Sequence, residues 1–273
     1  MSLRKMTLAG SWYPRTAKEV SKTLSDWRMT EDEGGRYSSA VVPHAGWYYS
    51  GKTASEALSG ACIGKDMIFI VGGHLPSGHP VLAAQEDELE VPGGAAVNRL
   101  DILERLRKAI VIEEDVYRDN TVEVVLPMAQ YYAPEADFLW LRAPADISSI
   151  KLAGEIFRIT AELNINAAVI GSTDLTHYGS SYYFQPAGSG DAALKWVKEK
   201  NDAGIIRDIV KMDPSAVIDN AKKNKAACSA GAAAAAVEFG RLKGVPKGRL
   251  VNYTTSYDIR PAESFVGYAG IVF

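Results

Sequence analysis

Cysteine is scarce in this chain. Cys62 and Cys228 are the only two in 273 residues, too few for a disulfide framework; they suit a reducing compartment and leave open at most a single bridge. Long apolar runs are also missing. None approaches the ~20 residues that span a bilayer, and Met1-Ser2-Leu3-Arg4-Lys5-Met6 leads into Thr7-Leu8 with no secretory apolar segment, so the expected location is the cytoplasm with no membrane partner. Charge of one sign is absent too. The 30 Lys and Arg are scattered against 33 Asp and Glu, for a net charge of −3, and without a clustered basic face a nucleic-acid partner is not expected. There is no Walker A segment, no G-x-G-x-x-G, no H-E-x-x-H and no G-x-S-x-G elbow, which removes the common phosphate-binding, dinucleotide, zincin and serine-hydrolase signatures.

What is present is a 47% hydrophobic, 23% charged chain, enough to build a substantial core. It shows no linker, repeat or charge block. Strand-like runs at Ala40–Val42, Met67–Gly72, Phe138–Leu141 and Ala167–Gly171 alternate with helix-like segments from Thr16 to Trp27, Lys52 to Cys62, Val97 to Ile110 and Ile150 to Leu163. A short helix is expected within Val122–Tyr132. Further helices are expected at Asp191–Lys211, at Pro214–Asn224 behind an Asp213 cap, and through the Ala-rich run closed by Gly240. Leu250–Ser256 and Phe265–Phe273 suit an antiparallel hairpin. This order predicts one α/β domain over residues 1–273, with a mixed, mostly parallel sheet and helices on both faces.

Histidine, four residues in all, is placed where chemistry is expected. His44 follows Ala40-Val41-Val42-Pro43, His74 follows Met67 to Gly73, and His177 follows Ala167 to Thr176. Loops beyond the carboxyl ends of strands are where open α/β sheets bind ligands, and imidazole is both a common metal ligand and a proton carrier near neutral pH. In Pro43-His44-Ala45-Gly46-Trp47-Tyr48-Tyr49, the aromatics are candidates to wall a pocket, with a buried, hydrogen-bonded histidine as the equal alternative. In Gly72-Gly73-His74-Leu75-Pro76-Ser77-Gly78-His79, the glycines allow a sharp turn. His74 is favoured over His79, which reads as an exposed loop residue. In Asp174-Leu175-Thr176-His177, a helical turn would put carboxylate and imidazole side by side as an acid–base pair, unless Asp174 is simply a helix cap. Cys228 enters the Ala-rich helix, where a thiol shifts toward thiolate; from the segment alone a small packed hydrophobe is the stronger reading. Glu123, near the start of a short helix, is a ligand, a base, or a charge favouring the helix dipole.

Taken together these segments resemble the Memo family, whose bacterial and archaeal members are often named AmmeMemoRadiSam system protein B. The resemblance rests on Ala9-Gly10-Ser11-Trp12-Tyr13-Pro14, Pro43-His44-Ala45-Gly46 with Tyr49-Ser50-Gly51, Ser172-Thr173-Asp174-Leu175-Thr176-His177-Tyr178-Gly179, Val251 to Ser256, and Gly267-Tyr268-Ala269-Gly270. It implies a fold similar to class III extradiol dioxygenases, which use non-haem iron. It also implies a vestibule in which His44, His74 and Cys228 are metal ligands and His177 stands beside them. On that basis Cys228 becomes a candidate site residue, Asp174, His177 and Cys228 the catalytic candidates, and Trp47, Tyr48 and Glu123 the vestibule wall. Departures from the pattern are plain: Gly72-Gly73-His74-Leu75 keeps one histidine where the family has two, and Asp119-Asn120-Thr121-Val122-Glu123 lacks the family's histidine but keeps Glu123.

The expectation is therefore a metal-dependent redox enzyme with a divalent ion, iron or alternatively copper or zinc. Glu123 is a further candidate to complete the ligand set. The alternative is a non-catalytic module binding a small molecule or peptide through Trp47, Tyr48 and Tyr49. A third reading is a metal-free enzyme with Cys228 as nucleophile and His177 as base.

Overall fold

Four strands form the parallel centre of the molecule: β2 (Ser39–Val42), β9 (Ala167–Ser172), β3 (Met67–Gly72) and β8 (Asp137–Arg142), adjacent in that order. The computed structural model describes residues 1–27 and 35–273. Antiparallel strands flank the centre. On one side β12 (Phe265–Val272) pairs with β2, with β11 (Arg249–Thr255) and with β10 (His177–Tyr178). On the other, β4 (Val81–Ala83) runs antiparallel to β8 and carries β7 (Ile112–Glu114) in parallel. The expected terminal hairpin is thus the β11–β12 pair, and through β12 it extends the sheet.

Side chains alternate across this sheet with the strand period of two. Val41, Phe69, Val71, Leu139, Leu141 and Val169 face one core, which includes α6 (Ile147–Glu162), α9 (Pro214–Asn224) and α10 (Ala230–Leu242). Val42, Ile68, Ile70, Phe138, Trp140 and Ile170 face the other, with α1 (Ala17–Ser25), α2 (Trp47–Cys62) and α5 (Leu126–Tyr132). The protein is a single α/β domain with a mixed sheet and helices on both faces. Among the described residues, no helix is long and apolar enough to cross a membrane.

Several boundaries differ from expectation for local reasons. The α2 helix begins at Trp47, five residues before the expected start at Lys52, because Gly46 caps it through backbone alone and leaves no side-chain signal. The expected helix from Val97 shrinks to α3 (Leu100–Leu106); Val97 instead ends β6 (Gly94–Val97), which pairs with β5 (Glu88–Val91) in a small separate sheet with β1 (Leu3–Arg4). The expected Asp191–Lys211 helix is α7 (Asp191–Trp196) and α8 (Ala203–Val210) joined by a π-helical turn, Val197–Asp202. Gly240 does not close α10. It lies inside the helix, where an added Cβ would sit 2.7 Å from Phe273 Cβ and 2.9 Å from Ser39 Oγ, so its small size serves close packing on β2.

Candidate metal centre

The parallel register places the chemistry. Val42 of β2 lies beside Ser172 of β9, and Gly171 of β9 lies beside Val71 of β3. The chain segments that leave these three carboxyl ends carry His44, Asp174 and His74. Cys228 reaches the same place from the opposite direction, two residues before the first turn of α10.

His44 is buried, with Nδ1 2.9 Å from Ser172 Oγ and Nε2 3.3 Å from Cys228 Sγ. His74 sits edge-on to His44 at 5.1 Å between ring centres. One ligand atom from each of His44, His74 and Cys228 lies within 4.8 Å of the others. The glycines before His74 act differently from expectation. Neither turns the chain through positive φ; His74 itself does, at φ 59. Gly73 is required because a Cβ there would lie 2.8 Å from Ser229 Cα, so bare backbone lets the end of β3 press against the residue after Cys228.

These groups set one another's protonation. Burial pushes His44 down, but the Asp174 carboxylate and the Cys228 sulfur outweigh it and leave His44 above its ordinary value. Burial also opposes charge on His74, yet its bonds to Asp119 and Cys228 push it up to about 10. Cys228 moves the other way: burial raises it, and the two imidazoles bring it well below an ordinary thiol. These opposed shifts favour a thiolate facing imidazolium in the metal-free cluster. Cys62, by contrast, is buried in the core and raised by that burial.

Asp174 is placed otherwise than as a partner of His177. No helical turn forms there, and His177 starts β10. The Asp174 Oδ1 accepts from the backbone N–H groups of His44 (2.8 Å) and Ala45 (3.3 Å), and Oδ2 lies 3.9 Å from His44 Nε2. Burial raises Asp174 above the usual carboxylate range against the pull of His44. His177 bonds the Leu175 carbonyl through Nδ1 at 3.2 Å and packs edge-on to Tyr182 at 4.9 Å. A carbonyl only accepts, so Nδ1 carries the proton and Nε2 is free to take one. The imidazole nearest the thiol is His44, not His177.

A cavity of about 830 Å³ opens over the cluster and is lined by His44, His74, Asp174 and His177. Tyr48 is on its wall and 70% exposed. Trp47 is not: it is 4% exposed, packs in the core and donates from Nε1 to the Val124 carbonyl at 3.0 Å. The phase of α2 from its start at Trp47, with consecutive side chains about 100° apart around the helix, turns Trp47 into the core while Tyr48 and Tyr49 line the cavity. Glu123, at the end of α4 (Asn120–Glu123), does not line the cavity either. Its carboxylate accepts from Thr7 N (2.6 Å), Thr7 Oγ1 (2.7 Å), Leu8 N (2.7 Å) and Tyr13 Oη (3.0 Å), which pins the segment that carries Trp12. It is neither vestibule wall nor ligand. His79 lies in its loop away from the cluster, with Nδ1 2.9 Å from the Pro80 carbonyl.

The wall also includes Trp12, Tyr49, Tyr182, Arg260 and Tyr268. Trp12 and Tyr268 stand inside quoted motifs, and Tyr49 closes the aromatic trio. Tyr182 and Arg260 carried no signal, since one ends a single 3-10 turn, Ser180–Tyr182, and the other follows a four-residue helix, α11 (Ser256–Ile259). A larger omission lies behind His74. Asp119 Oδ2 is 3.1 Å from His74 Nδ1 and 3.2 Å from an Arg142 terminal nitrogen, and buried Arg142 in turn contacts buried Asp115 at 3.1 Å.

Fold and site together describe an α/β protein with a His–His–Cys cluster at the carboxyl ends of its parallel strands. The family profile described as Memo-like protein matches residues 4–272, and the chain belongs to the Memo family. A MEMO1 family protein of Pyrococcus furiosus is 28% identical over 99% of this chain and 98% of its own length. MEMO1 family proteins of Thermococcus kodakarensis and Archaeoglobus fulgidus are 28% and 27% identical, each over 99% of both chains.

Proposed function

We propose that the protein is a metal-dependent oxidoreductase, with His44, His74 and Cys228 as ligands and a small molecule or short peptide as the substrate in the cavity. The observation that carries this is the convergence of two imidazoles and a thiol within 4.8 Å, with both imidazoles also lining an approximately 830 Å³ cavity. The donor set fits an ion. The His44 Nε2 to Cys228 Sγ distance of 3.3 Å is close to that of two ligands bonded to one ion at about 2.0 and 2.3 Å, and the thiol is already shifted toward the thiolate that a metal requires.

A thiolate with two imidazoles favours copper or zinc, and an added carboxylate favours iron. Asp174 is the nearby carboxylate, but its Oδ1 is committed to backbone donors. When bound, an iron or copper ion supplies electron exchange and a Lewis acid. The chain supplies the rest. Asp174 holds the His44 loop, His177 takes or returns a proton at Nε2, and Tyr48, Tyr49 and Tyr182 cover the ligand and exclude water. Two free cysteines and a thiolate-dependent site suit the reducing cytoplasm.

Metal analysis of untagged protein tests the proposal. About one equivalent of iron or copper is expected after reconstitution, with loss in His44→Ala. Binding of neither, or of zinc alone, would refute it, since zinc exchanges no electrons. The 3.3 Å thiol–imidazole contact favours one rival, a metal-free cysteine nucleophile with His44 as its base; turnover that survives exhaustive chelation but not alkylation of Cys228 would establish that rival.

A further inference from the structure

The groups behind His74 form a continuous charged chain with its inner end in the core. Asp115 is buried, and its Oδ2 accepts from Trp140 Nε1 at 2.9 Å while Oδ1 faces buried Arg142 at 3.1 Å. Arg142 then makes two contacts that bear on a single residue. Its Nε donates to the Gly73 carbonyl at 3.0 Å, fixing the peptide that precedes His74. Its terminal nitrogen lies 3.2 Å from Asp119 Oδ2, the same oxygen that lies 3.1 Å from His74 Nδ1. Asp119 Oδ1 is held separately, by the N–H of Thr121 at 2.8 Å and by the Thr121 hydroxyl. One arginine therefore steadies both the backbone and the ring partner of His74.

Stability alone does not explain this arrangement. A buried carboxylate, a half-buried one and a buried guanidinium all lose hydration, and apolar residues of similar volume are often no less stable. His74 is also held at φ 59, a left-handed conformation unfavourable for a residue with a Cβ. Strain of this kind persists only where surrounding contacts over-determine it, and here those contacts converge on one imidazole.

We propose that Asp119, clamped by Arg142 and Asp115, is the positioning residue for His74. It accepts the Nδ1 proton, fixes the ring plane, and leaves Nε2 as the nitrogen presented to Cys228 and His44. Its consequence for metal affinity rests on the metal-centre proposal above; its consequence for the ring does not. Arg142 is not the residue to change, because its removal also takes a cation from buried Asp115, which is left with Arg4 at 3.7 Å and the Trp140 indole N–H, and so confounds the reading.

The experiment compares wild type, Asp119→Asn and Asp119→Ala, each checked for folding by a thermal melt. Zinc ion is the probe, with affinity measured by chelator competition. In parallel, ¹⁵N-resolved NMR of the metal-free protein follows the His74 Nδ1 proton, with the His44 ring as internal reference. Loss of a carboxylate that orients a liganding histidine weakens metal binding about 10- to 100-fold. That loss is expected for Asp119→Ala, together with loss of the His74 Nδ1 proton signal and an unchanged His44 ring. Asp119→Asn keeps an acceptor without the charge, so its Nδ1 signal is retained and its affinity falls less, by about threefold to tenfold. A folded Asp119→Ala protein with wild-type zinc affinity and an intact Nδ1 signal would overturn the proposal. If the alanine variant does not fold, Asp119→Asn decides alone, and unchanged affinity overturns it. If wild type binds no zinc, the NMR comparison alone decides whether Asp119 orients the ring, and its failure overturns the proposal independently of the metal reading.

Discussion

Gly73→Ala is the substitution that most sharply tests how the cluster is held together. Gly73 has no positive φ, so alanine meets no backbone penalty there. The difficulty is space. The new Cβ would lie 2.8 Å from Ser229 Cα, against about 3.5–4.0 Å for carbon atoms in contact. The end of β3 and the start of α10 must therefore separate by about 1 Å, carrying Cys228 away from His74. Overpacking of this kind costs about 1–3 kcal/mol, and Tm falls by about 2–4 °C per kcal/mol in a domain of this size. Misplacing a ligand by about 1 Å is expected to weaken metal binding by tenfold or more. Gly154→Ala is the control: it lies in α6 with nothing within 4 Å of the added Cβ and gains about 0.5–1 kcal/mol of helix propensity. Scanning calorimetry and zinc competition read both effects. A Gly73→Ala protein with unchanged Tm and unchanged affinity would refute the idea that close backbone approach sets the cluster.

Four further outcomes follow from the same structure. Trp47→Ala should cost about 3–5 kcal/mol in urea unfolding, because the ring is core, while Tyr48→Ala should leave stability within about 0.5 kcal/mol and alter ligand binding instead. Iodoacetamide should alkylate Cys228 rapidly near neutral pH in metal-free protein and leave Cys62 untouched; His44→Ala should slow the reaction, and equal rates would contradict the thiolate assignment. Arg142→Met should destabilise by about 3–5 kcal/mol, since it leaves Asp115 and Asp119 without their shared cation. Asp202 is pushed up to about 6 by burial, against the hydrogen bonds from Thr176 and Tyr253. Between the ordinary carboxylate value and about 6, the folded state holds a proton that the unfolded state has lost. Stability from this group therefore falls as pH rises through that window and is constant above it. Asp202→Asn should lack that slope, so the wild-type-minus-variant difference in Tm should fall as pH rises through that window, and a difference that stays flat across it would contradict the assignment.

Much of the architecture could be read from the chain because it rests on short-range pattern. Val41, Phe69, Leu139 and Val169 fill one core while Val42, Ile68, Phe138 and Ile170 fill the other, so the central strands appear as continuous apolar runs. Asp213 and Pro214 mark α9 through a side-chain cap. The α2 start was hidden because Gly46 caps without a side chain. Trp47 and Glu123 were misplaced for related reasons: the helix phase that turns Trp47 inward depends on that start, and the partners of Glu123 lie more than a hundred residues away at Thr7 and Leu8. The Arg142–Asp119–His74 chain joins a strand end, a short helix cap and a loop, and no local spacing records it.

The most direct measurement of the central claim is X-ray absorption spectroscopy of reconstituted wild-type protein beside Cys228→Ser. The account predicts one sulfur at about 2.3 Å and two imidazole nitrogens at about 2.0 Å from the ion, with the sulfur shell absent from the variant. An ion surrounded only by oxygen and nitrogen in wild type, or a spectrum unchanged by Cys228→Ser, would contradict it.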